Sequence, residues 1–187
     1  YTHSGSETVA DSFTYTIRDA SGAVSNVATV SITVNPVNDA PSAANDNAAV
    51  NEGAAITIDL AANDTDADNA LNLGSIQIVG GPANGSVVVN GDGTVTYTHS
   101  GSETVADSFT YTILDASGAV SNVATVSITV NPVNDAPSAV NDNASVNEGA
   151  AVTIDLAAND TDADNALNLG SIQIVGAPAN GSVVING

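Results

Sequence analysis

Apolar and polar residues alternate along this chain in short runs broken by turn residues. In "AAITIDLAA" (residues 54–62) the alternation has the period of a strand with one face buried. "SIQIVG" (75–80) reads as a second strand. "GSVVVNGDGTVTYTHS" (85–100) reads as a hairpin, with Asn90-Gly91 supplying the positive φ values of a tight turn. "DSFTYTILDASG" (107–118) places Phe109, Tyr111 and Ile113 on one face. "SNVATVSITVNP" (121–132) alternates Val, Val, Ile and Val with small polar residues. A short strand near residues 48–51 brings the count to seven, and no stretch keeps a helical period over a useful length.

The pattern then repeats. Shifted by 96 positions, residues 1–91 fall on 97–187 with six differences: Arg18/Leu114, Ala44/Val140, Ala49/Ser145, Ile56/Val152, Gly81/Ala177 and Val89/Ile185. Such a period is too long for a solenoid turn and suits one small β-domain. Seven short strands per period predict an all-β, immunoglobulin-like Greek-key sandwich, tandemly repeated. With Pro41 and Pro137 as module starts, residues 1–40 are the C-terminal piece of one repeat. Residues 41–136 are a complete repeat, and 137–187 are the N-terminal piece of the next. The chain thus reads as a piece of a longer array. Residues 1–3 and 182–185 correspond to the two strands of the hairpin, cut apart. Free strand edges seek partners, so the two end pieces are expected to pair between molecules and complete a split domain.

Charge narrows the function. Against 21 acidic residues stands one basic residue, Arg18, for a net charge of −20. That surface repels nucleic acid and anionic lipid, and no apolar run is long enough for a membrane helix. Few aromatics and high charge also characterise disorder, but the patterned Val, Ile, Ala and Leu favour a fold. Without Cys there are no disulfides and no thiolate sites.

The acids are clustered. Residues 41–136 hold 11 carboxylates and neither Lys nor Arg. They gather at Glu52, in "NDTDADN" (Asp64, Asp66, Asp68), at Glu103 and Asp107, at Asp115, and at Asp135 of "VNDAP". Crowded carboxylates repel at short range, and a hard divalent cation relieves this. Ca²⁺ takes six to eight oxygens from carboxylates, Asn side chains and carbonyls, whereas Mg²⁺ demands a stricter octahedron. Zn²⁺ and Cu²⁺ would want His or Cys, and only His3 and His99 are present. Asp and Asn are also ordinary turn residues, and the loop has no EF-hand pattern.

In order, Glu52, Ala62-Asn63-Asp64-Thr65-Asp66, Asp115 and Asn134-Asp135-Ala136-Pro137 resemble the calcium-binding motifs of cadherin repeats. "DSFTYTILDASG…VSITVNPVNDAP" is similar to the cadherin-like extender repeats of bacterial RTX adhesins exported by type I secretion. The resemblance implies an extracellular, cell-surface extender, stiffened by several Ca²⁺ ions at interdomain junctions, which holds a terminal adhesive domain away from the cell. Neighbouring repeats of the same chain would be its partners. By the same resemblance, the first junction would use Glu7, Asp11, Asn38, Asp39, Asp64, Asp66 and Asp115. The second would use Glu52, Glu103, Asp107, Asn134, Asp135, Asp160 and Asp162, and Asp68 and Asp164 are further candidate metal ligands. The linkers depart from the cadherin pattern at Asn35 or Asn131 and at Ala40 or Ala136, which leaves the ion number per joint open. The competing reading is a carbohydrate- or protein-binding module on the same sandwich, although Trp is absent. An enzyme fits least. "THSGSE" (98–103) offers His99 and Ser residues, but no general-base constellation can be read.

Overall fold

The computed structural model describes residues 1–186. The chain divides into two compact units, Tyr1–Val130 and Asn131–Gly187. The first opens with a hairpin in which β1 (Ala10–Tyr15) pairs antiparallel with β2 (Ala28–Thr33), Phe13 opposite Val30. Seven further strands follow: β3 (Asp46–Asn51), β4 (Ala55–Asp59), β5 (Leu71–Gly80), β6 (Gly85–Val89), β7 (Thr94–His99), β8 (Ala106–Asp115) and β9 (Ala124–Asn131). They form two sheets, β3-β9-β8-β5 and β4-β7-β6. Only the β6–β7 and β8–β9 connections stay within a sheet. This is the Greek-key plan of an immunoglobulin-like sandwich.

The period-2 pattern builds the core. On β8, Phe109, Tyr111 and Ile113 point inward; on β9, Ala124, Val126, Ile128 and Val130 do; on β7, Val95 and Tyr97 do. Val50, Ile58, Leu60 and Ile76 complete the layer between the sheets. The rings of Tyr97 and Phe109 stack across it, 6.4 Å apart and 12° from parallel. Each fully buried large aliphatic side chain stabilises the sandwich by about 1.5–3 kcal/mol.

Two expectations need correction. The β6–β7 turn is not a two-residue Asn90-Gly91 turn. Strand pairing stops at Val89↔Val95, and positive φ falls on Gly91 (82°) and Gly93 (92°), not on Asn90. Gly93 is held out of the hairpin because its carbonyl accepts from Leu60 N–H and its N–H donates to Leu73 O. Second, β5 begins at Leu71, earlier than Ser75, since pairing with β8 starts at Leu71↔Asp115 and resumes after an irregularity. Residues 1–3 and 182–185, which correspond to the two strands of the β6–β7 hairpin, are not in strands here. Their sequence suits a hairpin, but neither piece has its partner strand.

In the second unit, no strand element forms among the described residues. Its ordered features are a two-way Ser138–Thr161 bridge (2.8 and 3.1 Å) and a 3-10 turn at Leu169–Ser171. The bridge repeats Ser42–Thr65 of the first unit, also at 2.8 and 3.1 Å.

Candidate metal centre

The linker phrase Asn38-Asp39 is bonded to the acidic loop that follows β4 and to the end of β8. Asn38 Nδ2 donates to Asp115 Oδ2 at 2.6 Å, and Asn69 Nδ2 donates to Asn38 Oδ1. The Asp39 N–H donates to Asp68 Oδ2 at 3.2 Å. Asp66 shapes this loop, because its Oδ1 accepts from the N–H groups of Asp68 (3.2 Å) and Asn69 (2.6 Å). Its other oxygen, Oδ2, is buried with no hydrogen-bond partner. A buried carboxylate oxygen left over in this way costs stability unless something positive meets it.

Asp115 is 1% exposed. Its position inside the β8 alternation buries it, and its Oδ1 accepts from Ser117 and Ala119 N–H. Burial pushes its pKa up, but hydrogen bonds from Asn38 and from Ala119, Gly118 and Ser117 N–H outweigh this and hold it below the ordinary value.

The second unit carries the same arrangement 96 residues on. Asn165 Nδ2 donates to Asn134 Oδ1 at 2.8 Å, and Asp135 N–H donates to Asp164 Oδ2 at 2.5 Å. Asp162 Oδ1 accepts from Asp164 (3.1 Å) and Asn165 (2.7 Å) N–H. Asn134, Asp135, Asp160 and Asp162 line one cavity of about 340 Å³.

Other expected site residues go elsewhere. Asp64 is 8% exposed, and its described bonds run to Ala44 N–H (2.7 Å) and the Tyr111 hydroxyl (3.1 Å). Asp160 likewise accepts from Val140 N–H at 2.7 Å. The two oxygens of Asp107 accept from Ala83, Asn84 and Ser108 N–H and from the Tyr97 hydroxyl. Burial raises its pKa, but these four bonds prevail and lower it. Asp11 accepts from the Tyr1 hydroxyl at 2.6 Å and from Ser12 N–H. Glu7 is exposed on the loop before β1. No described hydrogen bond joins Glu7 or Asp11 to Asn38.

Glu52 and Glu103 meet at the opposite end of the sandwich's strands. They come from the β3–β4 turn and the β7–β8 loop, and a carboxylate oxygen of each lies within 4.8 Å of the other. At an effective dielectric of 20, two such charges repel by about 3 kcal/mol. The one basic side chain, Arg18, donates to its own turn at Gly22 O (2.8 Å).

The sequence reading passed over Asn69 and Asn165. Both lie inside the quoted "NDTDADN" run, and only their amide bonds to the linker single them out. It also passed over Asp46. Taken together, Asn38, Asp39, Asp66, Asp68, Asn69 and Asp115 offer oxygen donors alone, one of them an orphan, which is the donor chemistry of a hard cation such as Ca²⁺.

No curated protein sequence matches the chain. Among solved structures, it is similar to the endo-fucoidan hydrolase MfFcnA4 of glycoside hydrolase family 107, at 21% identity and TM-score 0.40. That likeness covers 69% of this chain and 20% of the other. It is also similar to the endo-fucoidan hydrolase MfFcnA9 (18% identity, TM-score 0.35, 67% and 22%). A third is the S-layer protein SbsC, domains 4 and 5 (17%, 0.32, 66% and 70%). The chain thus spans about a fifth of the hydrolases' length, and at these TM-scores the likenesses say nothing of activity. A bacterial Ig domain matches residues 134–187. A bacterial cadherin-like domain matches residues 38–132, half of the sequence, and the all-β sandwich is consistent with it. The chain belongs to the bacterial cadherin-like domain family.

Proposed function

We propose that this chain is a stretch of the extender of a bacterial cell-surface adhesin of the RTX type, in which oxygen cages at the linkers bind Ca²⁺ and stiffen successive modules. Residues 41–136 form one whole repeat, and 1–40 and 137–187 are parts of its neighbours. Bacterial Ig-like and cadherin-like domains are structural modules of surface proteins and are usually non-catalytic. No helix among the described residues is long and apolar enough to cross a membrane.

One observation carries the reading. The linker Asn38-Asp39 is already bonded to Asp68, Asn69 and Asp115, and in the same acidic loop a buried carboxylate oxygen of Asp66 has no hydrogen-bond partner. Asn38, Asp39, Asp66, Asp68 and Asp115 would hold one cation set, and Asn134, Asp135, Asp162 and Asp164 would contribute to the next. Bound Ca²⁺ would supply the positive charge that this oxygen-rich surface lacks. The chain's own part is to fix the linker. Pro36 and Pro41 lock φ on either side of Asn38, and the Asn38 amide bridges Asp115 to the acidic loop.

The pairing partner of each end piece is a second copy of the chain. Residues 137–187 repeat the sequence that covers β8 and β9 in the whole module, so in a neighbouring copy they suit the exposed face of β1 and β2.

Calorimetric titration with Ca²⁺ and scattering in calcium and in EDTA test the reading. Binding should weaken about tenfold or more in Asp66→Asn and in Asp115→Asn, and the particle should shorten in EDTA. Scattering profiles that are identical with and without calcium would refute it.

A further inference from the structure

Four Asn-Gly pairs occur in the sequence, at 84–85, 90–91, 180–181 and 186–187; Gly187 lies outside the described residues. Asparagine before glycine is chemically labile. Glycine has no Cβ to hinder its nitrogen, which can close on the Asn side-chain carbon and displace ammonia. Two of the pairs share one sequence, "PANGSVV", at 82–88 and 178–184. Their intrinsic reactivity is therefore the same, and any difference between them comes from the fold.

In the whole module the pair is pinned. Asn84 N–H donates to Asp107 Oδ2 at 2.9 Å, and Asn84 O accepts from Ser100 N–H at 2.9 Å. Gly85 opens β6, opposite His99. A Cβ on Gly85 would lie 2.5 Å from Thr98 O and 2.7 Å from Tyr97 Cε2. That close approach explains the glycine: no larger residue leaves room for the buried Tyr97 ring. Ring closure needs rotation about the Asn84 Cα–C bond, to bring Gly85 N onto the side-chain carbon. The rotation swings the Asn84 carbonyl away from Ser100 and moves Gly85 off Tyr97. Closure at this copy thus requires β6 to open locally.

The copy in the second unit has no such restraint among the described residues. Asn180 and Gly181 are exposed and lie in no strand, and a Cβ on Gly181 would meet nothing within 4 Å. Asn90-Gly91 is intermediate. It is exposed on the β6–β7 turn, but the Asn90 side-chain amide is held by Thr94 Oγ1 at 2.8 Å.

We propose that Asn180-Gly181 is a self-modification site, where the chain deamidates spontaneously while the same sequence at Asn84-Gly85 is protected by its strand. Gly181 N, deprotonated by water or hydroxide, attacks Asn180 Cγ. The N–Cγ bond forms, the Cγ–Nδ2 bond breaks, and Nδ2 takes up a proton and leaves as ammonia. Water then opens the succinimide ring. Opening at the side-chain carbonyl gives aspartate. Opening at the backbone carbonyl gives isoaspartate, whose side-chain carbon has entered the main chain. Either product adds a negative charge. Isoaspartate also puts the residues on its two sides out of step for strand pairing. A second unit modified in this way loses the strand that its counterpart forms as β6. The proposal needs neither calcium nor association of copies.

The test is timed incubation of the full chain at neutral pH, in EDTA and in dilute solution. After digestion, each Asn-Gly site is read by mass spectrometry, with isoaspartate separated from aspartate. Conversion at Asn180 should run at least about tenfold faster than at Asn84. In denaturant the two rates should become equal. Gly181→Ala, which places a methyl group in open space, should nearly stop conversion at Asn180 and leave Asn84 as it was. Equal rates at the two sites in the folded chain would overturn the proposal. So would an Asn180 that converts only in denaturant, or unchanged conversion in Gly181→Ala.

Discussion

The Tyr111 hydroxyl has one proton and a crowd of acceptors. Asp64 Oδ1 and Oδ2, Asp46 Oδ2, Leu60 O and Ala44 O all lie within 3.2 Å of it. Burial, then the nearby Asp46 and Asp64 charges, push the Tyr111 pKa far up, so it stays protonated. Burial is also the main cause raising the pKa values of Asp46 and Asp64. For Asp46 the sign follows directly. Its folded pKa lies above the unfolded one, so its contribution is fully present below the unfolded value and is lost as pH rises through the folded one. In EDTA, Asp46→Asn should therefore raise the melting temperature at neutral pH, with no such gain at about pH 3. Melts at the two pH values check this, and an equal gain at both would refute it. At this scale the sequence was only partly legible. Asp64 and Asp66 stand two apart in one acidic run and look equivalent. Asp64 accepts from the Tyr111 hydroxyl and Ala44 N–H, whereas Asp66 accepts from Asp68 and Asn69 N–H in its own loop, a difference that no local pattern records.

Strands in this chain depend on partners more than on propensity. "ADSFTYTI" occurs twice. In the whole module it lies in β8, which runs ten residues because β5 pairs with its second half; at the start of the chain β1 stops at Tyr15. Phe13, Tyr15 and Ile17 are 48%, 49% and 67% exposed, whereas Phe109, Tyr111 and Ile113 are 0–2% exposed. Ile113→Ala should cost about 2–5 kcal/mol, and Ile17→Ala about 0.5 kcal/mol or less. Denaturant melts of the two variants read the difference, and similar losses would show that β1 is packed as β8 is. Period-2 alternation located all seven strands of the whole module, since each buries one face. It could not show that the described residues 137–186, nearly identical to 41–90, form none. That outcome is decided by strands elsewhere in the chain, not by the residues themselves.

At the scale of the molecule, the proposed pairing of end pieces would cover apolar side chains that both leave exposed. Val152 and Ile154 are 46% and 44% exposed, while Ile58, the counterpart of Ile154, is 7% exposed within the sandwich. Sedimentation velocity should show the average mass rising with concentration through head-to-tail association, an open geometry that does not close on itself. The net charge of −20 opposes this, so added salt should strengthen it. A chain that stays monomeric throughout the concentration series would exclude the pairing.

The near-identity of the half-modules bears on biogenesis. In the array proposed above, every N-terminal half would meet many equally good mates, and crossed pairings would trap folding intermediates as readily as correct ones complete them. Affinity cannot sort such candidates, because it is the same for each. Sequential appearance can: a half delivered just ahead of its neighbour finds that neighbour before any other, so the timing of delivery becomes part of what specifies the fold.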